Sequence, residues 1–249
     1  MELIKQTIKL GNSAGVILPK EWEDKKVRVE LIDKSITESI LETLIDEKLL
    51  KNVIGVYLTG SYARGEETAQ SDIDILIVTD NKTKQIKKRK QEISFISKEK
   101  FEKNLSKNIF LLSQIKEAKI IINNEYIKQF KEMKLKISVK KFVKEKKNYM
   151  KNMKNIINSE DIVEDGIAYS LILRLRETYL AYHLLKERKY QNKRFKDLIK
   201  KQAGSLEIYD AYFRVKNNLR EINKIKPLEA NKINELIKIF VKKIEDGNK

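Results

Sequence analysis

Two aspartates, Asp72 and Asp74, lie two positions apart at the start of an apolar run that ends at Val78. If this run is a β-strand, both carboxylates point to the same face of the sheet, because side chains alternate between faces. Two hard oxygen ligands side by side are what Mg²⁺ requires while it also binds a nucleotide phosphate. A turn that begins at Gly60 and Ser61 lies just upstream and offers backbone N–H groups to such a phosphate. The segment therefore predicts a site that handles nucleotides.

The order and spacing of these residues resemble the signature of the polymerase-β-like nucleotidyltransferases. The signature reads Gly60-Ser61-x-Ala63-Arg64-Gly65, then five residues, then Ser71-Asp72-x-Asp74. Within that superfamily the segment is most similar to the minimal nucleotidyltransferases and to the kanamycin-type enzymes. The motif joins a Gly-Ser pair to an Asp-x-Asp pair at a fixed spacing between two apolar runs. It is therefore more specific than a lone Asp-x-Asp, which is usually a solvated strand end.

The resemblance implies a role for each residue of the motif. Asp72 and Asp74 would hold Mg²⁺ bridged to the triphosphate of ATP, and Arg64 would neutralise charge on the departing pyrophosphate. The nucleotide-binding residues that the resemblance implies are Gly60, Ser61, Arg64 and Ser71. The implied reaction is transfer of a nucleoside monophosphate, AMP from ATP, to an acceptor hydroxyl.

A third carboxylate is predicted on the next strand. Residues 91–97 alternate in polarity, so that Glu92 shares a face with the polar positions while Ile93 and Phe95 point into the core. In the resembled family a third acid follows on the strand after the Asp-x-Asp strand, and Glu92 is the aligned choice. It would complete a second metal site or accept the proton of the acceptor. The alternatives are an exposed glutamate in a charged neighbourhood, and Glu99 as the third acid.

Composition excludes several classes of protein. Of the 249 residues, 41% are apolar and two are proline, which is typical of a folded, helix-rich chain rather than a disordered one. Cysteine is absent, which excludes disulfides, thiolate metal sites and cysteine nucleophiles. No apolar run approaches the roughly 20 residues that cross a bilayer, and the N-terminus lacks the apolar core of a signal peptide. We therefore expect a cytoplasmic location without membrane contact.

The net charge of +17 is concentrated in the last part of the chain. Residues 136–249 carry 28 basic and 15 acidic side chains, a net charge of +13, whereas residues 1–34 and 35–135 carry +1 and +3. Such a field attracts phosphates or an acidic partner, so contact with nucleic acid through this part is one hypothesis. The alternative is compositional, because chains rich in lysine, isoleucine and glutamate are common in AT-rich genomes and thermophiles.

The first 34 residues show strand-like alternation around a Gly-Asn-Ser-Ala-Gly turn. We predict three short strands, at Ile8–Leu10, Val16–Trp22 and Val27–Leu31, which need another domain or a second copy because they cannot bury a core alone. Gly11–Lys20 resembles the swapped-hairpin AbrB/MazE-like module, which implies a homodimer and often DNA binding. That family's usual Gly-Asp turn is replaced here by four charged residues. The low net charge favours dimerisation over DNA recognition.

Residues 35–135 combine helical and strand patterns and are predicted as the nucleotidyltransferase domain. A helix is predicted over Ile36–Leu50 and another from Lys98, with a solvated charge run at residues 87–90. The predicted strands are Val53–Leu58, Ile73–Val78, Gln91–Ser97 and Ile120–Ile122. Together these elements predict the α+β class, with a small mixed β-sheet.

Residues 136–249 are helical in pattern throughout. The predicted helices are Ile137–Asn158, Ile162–Lys186, Glu207–Asn223 and Leu228–Glu245, with breaks at Gly204 and Pro227. Four helices joined by short loops predict an antiparallel bundle. The segment resembles the helical domains that accompany these enzymes, either the HEPN type or the C-terminal bundle of kanamycin-type enzymes.

Arg176 and His183, the chain's single histidine, are separated by six residues on one predicted helix. HEPN ribonucleases resemble this arrangement, and the polar residue that usually follows the arginine is present as Glu177. A nuclease role is one interpretation. The other is a structural or partner-facing role, because an arginine and a histidine fall at such spacing often in a basic helical chain.

The acceptor of the transferred group has several candidates. The HEPN-like part implies a protein hydroxyl, as in the toxin–antitoxin pairs in which a minimal transferase AMPylates a HEPN toxin, although here both parts share one chain. A small molecule, as for aminoglycoside-type enzymes, and an RNA end are alternatives. A hypothesis of a different class is a DNA-binding regulator whose transferase domain only senses nucleotide.

Overall fold

The chain consists of two compact units, residues 1–43 and residues 44–249. The computed structural model describes residues 3–30, 35–69, 71–88 and 90–247, without the side chain of Lys88. Helix α1, Ile36–Asp46, crosses the border between the two units. The three-part division at residues 34 and 135 stays a prediction.

The first unit contains a two-stranded antiparallel hairpin. Strands β1, Ile8–Leu10, and β2, Ser13–Gly15, pair directly across a turn in which Gly11 has a φ of +56°. The predicted strand Val16–Trp22 is wrong: a 3-10 turn forms at Lys20–Trp22, directly after Pro19, which has no N–H to donate to a ladder. Residues 27–30 form no strand either, because nothing in the described part of this unit pairs with them, and Leu31 lies outside the described residues.

The second unit is built on a five-stranded mixed sheet with the order β5-β6-β4-β3-β7. Its strands are β3 Val53–Thr59, β4 Ile73–Thr79, β5 Lys84–Lys88, β6 Gln91–Ser97 and β7 Lys119–Ile122. Strands β4 and β6 are parallel, and the other neighbours are antiparallel. The four strands predicted in this region are confirmed to within one residue at each end. The run of charge at residues 87–90 was predicted only as solvated, and no strand was predicted there. Its first two residues end β5, an edge strand, where lysines are tolerated because one side of the strand faces water.

Helices make up most of the second unit. They are α2 Gly60–Arg64, α3 Lys98–Leu105, α4 Ile109–Glu117, α5 Asn124–Lys131, α6 Val139–Asn158, α7 Asp165–Leu185, α8 Asn192–Ala203, α9 Glu207–Lys216 and α10 Pro227–Asp246. In four of them the side-chain oxygen of the N-cap residue itself accepts an N–H of the first turn, which satisfies a donor that has no partner inside the helix. The capping residues are Ser97, Asn108, Asn123 and Ser138.

The helical region contains five helices within its described residues rather than the four predicted. Helix α8 was not predicted, because most of its residues are lysines or other polar residues. Its buried residues, Phe195, Ile199 and Ala203, are spaced four apart and so lie on one face of the helix. The predicted helix 207–223 is also too long. It ends at Lys216, and the positive φ of Asn218 lies just beyond.

One hydrophobic core joins the sheet to the helices of the second unit. It runs from Tyr57 and Val78 in the sheet through Leu175 in α7 to Ile237 and Ile244 in α10. Helix α7 packs against α9 and α10, and α10 packs against α6. The predicted α+β class, a small mixed sheet followed by a helical region, is confirmed. None of the helices in the described ranges is long and apolar enough to cross a membrane.

Helix α9 is fastened to the start of α7 by a buried ion pair. The Asp165 carboxylate accepts hydrogen bonds from Arg214, with Nε–Oδ2 at 2.7 Å and Nη2–Oδ1 at 3.1 Å. It also accepts the backbone N–H groups of Ile222 and Asn223. Burial by itself raises the pKa of Asp165, but these hydrogen bonds outweigh it and hold the pKa below its usual range.

Candidate active site

A cavity of about 370 Å³ opens between the sheet and the helices α7, α8 and α9 of the second unit. All seven residues predicted for the site line it: Gly60, Ser61, Arg64, Ser71, Asp72, Asp74 and Glu92. They come from the two ends of α2, the loop before β4, and the starts of β4 and β6. Tertiary structure thus brings together residues that span more than 30 positions of sequence.

Asp72, Asp74 and Glu92 lie at the end of the sheet where β4 and β6 begin, which we call the carboxylate edge. Asp74 on β4 and Glu92 on β6 are direct partners in the parallel register, and Asp72 lies just before β4. The alternation predicted for β6 is confirmed, because Ile93 and Phe95 are buried while Glu92 is half-buried and faces the cavity. Oε1 of Glu92 accepts a hydrogen bond of 2.7 Å from Gln85 on the edge strand, which orients the carboxylate.

The electrostatics of this edge disfavour ionisation of Asp74. Burial raises the pKa of Asp74, and the negative charges of Glu92 and Asp72 raise it further. Lys216 on α9 acts in the opposite direction, and its Nζ lies 3.9 Å from Oδ2 of Asp72. A bound divalent cation would relieve the same repulsion.

The donor set at this edge fits a magnesium ion that keeps water and phosphate ligands. Mg²⁺ is commonly bound by one or two carboxylates together with substrate phosphates rather than by a full protein cage. Asp72 and Asp74 supply such a pair. Among the residues that the structure describes, no group of three or more acidic, histidine or cysteine side chains is arranged to hold a metal ion by itself.

Gly60 is required at the start of α2 by both its backbone and its neighbour. Its φ is +67°, a conformation that costs other residues about 1–2 kcal/mol, and an added Cβ would lie 2.0 Å from Oδ2 of Asp74. Gly65 at the end of α2 has a nearly equal φ of +69°, but a Cβ added there would meet nothing within 4 Å among the described residues. The absence of a side chain at Gly60 thus leaves room for the carboxylate of Asp74.

We expect Gly60→Ala to reduce transfer activity at least about 100-fold, because the carboxylate of Asp74 must rotate away and misplacement by about 1 Å costs that much. Gly65→Ala is the matched control. Both variants should lose about 1–2 kcal/mol of unfolding free energy from the backbone, measured by urea denaturation, but Gly65→Ala should retain most of its activity. Equal activities of the two variants would contradict this account.

Arg64 is held by two carboxylates in the wall of the cavity. Its Nε lies 2.7 Å from Oε2 of Glu66, and its Nη1 lies 2.7 Å from Oε1 of Glu117 at the end of α4. Glu66 also accepts the backbone N–H of Asn192 at the start of α8, at 3.1 Å. The guanidinium predicted to meet the leaving group therefore connects the loop after α2 with α4 and, through Glu66, with α8.

Glu117 is the titratable group of this network. Burial raises its pKa to about 7, and the nearby guanidinium groups of Arg64 and Arg176 offset that rise only in part. Because the pKa of a glutamate in the unfolded chain is near 4.5, the folded chain binds the proton more tightly than the unfolded chain does. The resulting stabilisation is complete below pH about 4.5 and is lost as the pH rises through about 7.

We therefore expect Glu117→Gln to flatten the dependence of stability on pH between about 4.5 and 7. The reason is that glutamine cannot take up the proton that favours the folded state in this window. Unfolding free energies of the variant and the original chain, measured by urea denaturation at several pH values, provide the check. Glu125→Gln, an exposed position on α5, is a suitable control, and parallel curves for Glu117→Gln and the original chain would refute the assignment.

Most of the helical side of the cavity was not predicted from the sequence. The lining residues from α7, α8, α9 and the adjoining loops include three cations and three tyrosines: Arg176, Lys196, Lys216, Tyr190, Tyr209 and Tyr212. They are far from the motif in sequence and follow no short pattern. The one available signal was the density of tyrosine and basic residues between positions 174 and 216.

Arg176 and His183 have different surroundings. Arg176 lines the cavity, whereas His183 lies outside its lining and packs against Tyr179, with ring centroids 4.2 Å apart. Burial lowers the pKa of His183, and Arg188 and Arg194 lower it further, which favours the neutral imidazole. Glu177 accepts Lys146 at 2.7 Å and Arg174 at 2.8 Å. The structure thus places Arg176 alone of this group at the cavity.

Residues 38–150 match the family model described as the nucleotidyltransferase domain, and we class the chain as an enzyme of this type. Residues 38–150 include all seven residues predicted for the site.

Two solved structures are similar to the chain at low sequence identity. One is a nucleotidyltransferase-like protein from Exiguobacterium sibiricum 255-15, with 11% identity, a TM-score of 0.34, and coverage of 84% of this chain and 75% of that one. The other is the spectinomycin adenyltransferase AAD(9) from Enterococcus faecialis, crystallised with ATP and spectinomycin. It has 13% identity, a TM-score of 0.43, and coverage of 84% of this chain and 98% of that one. No curated protein gives a significant match to the sequence.

Proposed function

We propose that the chain transfers a nucleoside monophosphate from a magnesium-bound nucleoside triphosphate, ATP, to an acceptor hydroxyl. The observation that carries the proposal is the pairing of Asp74 with Glu92 in adjacent strands, beside Asp72 and next to a glycine that leaves space for the carboxylate. This arrangement supports a role for Asp72 and Asp74 in binding Mg²⁺ and a separate role for Glu92 at the same cavity.

Each residue has a distinct part in the proposed reaction. Asp72 and Asp74 would hold Mg²⁺, which neutralises charge on the triphosphate and stabilises the leaving pyrophosphate. The acceptor oxygen forms a bond to the α-phosphorus in line with the departing group, and the bond to the pyrophosphate oxygen breaks. Glu92, oriented by Gln85, would take the proton of the acceptor hydroxyl.

Arg64 supports this proposal indirectly. Because its guanidinium is already paired with Glu66 and Glu117, we propose that it positions the loop after α2 as well as contributing positive charge near the nucleotide. Ser71 has a similar local role: its hydroxyl accepts the N–H of Thr68 at 2.9 Å and shapes the turn before β4.

The test of the proposed function is product identification. The purified chain, α-labelled ATP and Mg²⁺ are incubated with cell lysate, and labelled products are identified by mass spectrometry. We expect label on a hydroxyl-bearing product together with release of pyrophosphate. Absence of any labelled product would show that the proposal is wrong. Labelling that is the same for Asp72→Asn and the original chain would also show it. Three further hypotheses stay predictions from the sequence. They are a protein acceptor, a toxin–antitoxin role, and a role as a DNA-binding regulator.

We also propose that the first unit associates with a second copy of the chain. Several of its apolar side chains are exposed, among them Ile4 and Val29, each 74% exposed, and Ile17, 67% exposed. Its two strands are too short to cover them. Covering such side chains in a dimer would contribute roughly 25 cal/mol per Å² of apolar surface removed from water.

Light scattering tests this association. We expect the original chain to be dimeric and Ile17→Lys to shift it toward the monomer, because a buried lysine in an apolar interface is unfavourable. Leu228→Lys is the matched control, since Leu228 on α10 is 66% exposed and lies in the other unit. A monomeric original chain, or equal shifts in both variants, would exclude this role for the first unit.

A further inference from the structure

Helix α6 carries an exposed row of lysines along most of its length. The helix contains seven lysines and one acidic residue, Glu145. Because successive residues of an α-helix are turned by about 100°, five of the lysines fall within an arc of about 80° and Glu145 lies outside that arc. These five are all exposed, and we call them the lysine stripe: Lys140, Lys144, Lys147, Lys151 and Lys154. From its first lysine to its last, the stripe advances about 21 Å along the helix.

Four lysines of the stripe have no carboxylate within 4 Å among the residues that the structure describes. The exception is Lys147, whose Nζ lies 2.8 Å from Oε2 of Glu245 on α10. Lys146 lies outside the stripe and is buried, and it pairs with Glu177 of α7 at 2.7 Å. Helix α6 therefore neutralises the lysine that it buries and leaves most of the exposed ones unpaired.

Composition alone does not explain the stripe, because α10 provides a comparison within the same chain. Helix α10 also has 20 residues and packs against α6, but it carries four lysines and four acidic residues. Its exposed Lys238 lies 3.1 Å from Glu235, one turn away. Lysines three or four positions apart, as in the stripe, repel one another and destabilise the helix. A bound polyanion would remove this repulsion.

The surroundings of the stripe favour a phosphate backbone over a membrane surface. Asn148 and Asn155 are exposed beside the lysines, and their amides can donate hydrogen bonds to phosphate oxygens. A helix that lies in a membrane surface inserts its apolar face among the lipids. Helix α6 instead buries Phe142, Val143 and Ile157 in the protein core. Its lysines can therefore meet a flat anionic surface only by charge.

The same helix favours a duplex over an unpaired strand. Proteins that bind unpaired strands stack the bases on aromatic side chains. Of the two aromatic residues of α6, Phe142 is buried, and Tyr149 is half-buried with its hydroxyl 2.9 Å from Oγ of Ser170 and Arg174 over its ring. One strand of a B-form duplex carries a phosphate about every 3.4 Å, so about six phosphates span the length of the stripe.

We propose that the lysine stripe binds the phosphate backbone of double-stranded nucleic acid, without regard to base sequence. None of its residues lines the cavity, so the proposal is independent of the transfer reaction and does not make nucleic acid the acceptor. Each lysine that neutralises a phosphate releases counterions. Four such contacts should give the logarithm of the binding constant a slope of about −4 against the logarithm of the salt concentration.

Fluorescence anisotropy of the full chain measures this binding between about 50 and 200 mM salt. The labelled ligands are a DNA duplex and an RNA duplex of one random sequence, an unpaired strand of that sequence, and poly-glutamate. Cosedimentation with vesicles of anionic lipid tests the membrane. We expect the tightest binding to a duplex, and the preferred duplex identifies the source of the backbone. Failure to bind either duplex at about 50 mM salt, or tighter binding to any other ligand, overturns the proposal and leaves the proposed function standing.

A double variant tests the stripe itself. Lys144→Gln combined with Lys151→Gln should weaken duplex binding about tenfold or more and make the slope less negative by about two. Lys51→Gln combined with Lys82→Gln is the control. It removes the same charge from exposed lysines at the end of the sheet opposite the carboxylate edge, and it should leave the slope unchanged. Equal effects of the two double variants, or unchanged binding by the stripe variant, would overturn the proposal.

The melting temperature distinguishes lost binding from lost structure. It should not fall in the stripe variant, because the two substitutions reduce repulsion between neighbouring lysines of α6. Should the stripe variant nevertheless unfold, Lys144→Gln alone decides, and it should make the slope less negative by about one. An unchanged slope in a folded Lys144→Gln would overturn the proposal.

Discussion

Asp74→Asn is expected to reduce nucleotidyl transfer by about 1000-fold or more without lowering the stability of the fold. The loss in activity follows because Asp74 would share Mg²⁺ with Asp72, and a catalytic metal supplies several kcal/mol of transition-state stabilisation, each 1.36 kcal/mol being tenfold in rate. Stability should be kept because the ionised Asp74 carboxylate is unfavourable where it lies. Its pKa is raised by burial and by Glu92 and Asp72.

The direction of the stability effect follows from the raised pKa. A carboxylic acid whose folded pKa exceeds its unfolded value stabilises the fold below the unfolded pKa, and this contribution is lost as the pH rises through the folded pKa. Ionisation of Asp74 is therefore unfavourable in the folded chain, and asparagine has nearly the same shape without the charge. The melting temperature of Asp74→Asn should equal or exceed that of the original chain.

Magnesium provides a readout that is independent of turnover. Ligands that bind only the folded state raise its melting temperature, so Mg²⁺ with ATP should stabilise the original chain more than Asp74→Asn. The control is Asp80→Asn, an exposed aspartate just after the other end of β4. It should retain activity and the full response to Mg²⁺. A transfer rate for Asp74→Asn within tenfold of the original would exclude Asp74 as a metal ligand.

Arg214→Leu is expected to cost about 3–5 kcal/mol of unfolding free energy, the usual cost of leaving a buried charge without its partner. The side chain of Asp165 is fully buried and receives two hydrogen bonds from Arg214. Because the pair fastens α9 to α7, and α9 carries Tyr209, Tyr212 and Lys216 of the cavity, the variant should also lose transfer activity at temperatures where it remains folded.

A double variant separates the unpaired charge from the loss of packing. Asp165→Asn combined with Arg214→Leu should be more stable than Arg214→Leu alone, since no charge is left buried. In the original chain the lowered pKa of Asp165 means that its stabilisation is present above the unfolded pKa and is lost as the pH falls through the folded pKa. The stability gap between the original chain and Arg214→Leu should therefore narrow in acid.

Urea denaturation as a function of pH measures these differences. Arg220→Leu, at an exposed position after α9, is the control and should change stability by less than about 0.5 kcal/mol. A double variant less stable than Arg214→Leu would show that Asp165 acts through packing or capping rather than through its charge.

Local patterns were sufficient for four of the five strands of the sheet and for its acidic edge. The strands that carry Asp74 and Glu92 are short apolar or alternating runs, whose side-chain period of two sets which residues face the cavity. Predictions failed where the local pattern does not determine the structure. The first unit needed pairing partners for Val16–Trp22, β5 lies at an edge where lysines are tolerated, and α8 buries only a narrow face.

By itself, the sequence determined which residues form the carboxylate edge, because a Gly-Ser turn and an Asp-x-Asp pair are short motifs whose geometry follows from one strand and one turn. Only the tertiary structure decided what faces that edge. Arg176, Lys196 and the tyrosines come from three helices and a loop, and no spacing along the chain relates them to Asp74. Long-range packing of α7, α8 and α9 against the sheet through one shared core creates the second side of the cavity. The second side of the cavity therefore depends on contacts between distant segments, which no local pattern encodes.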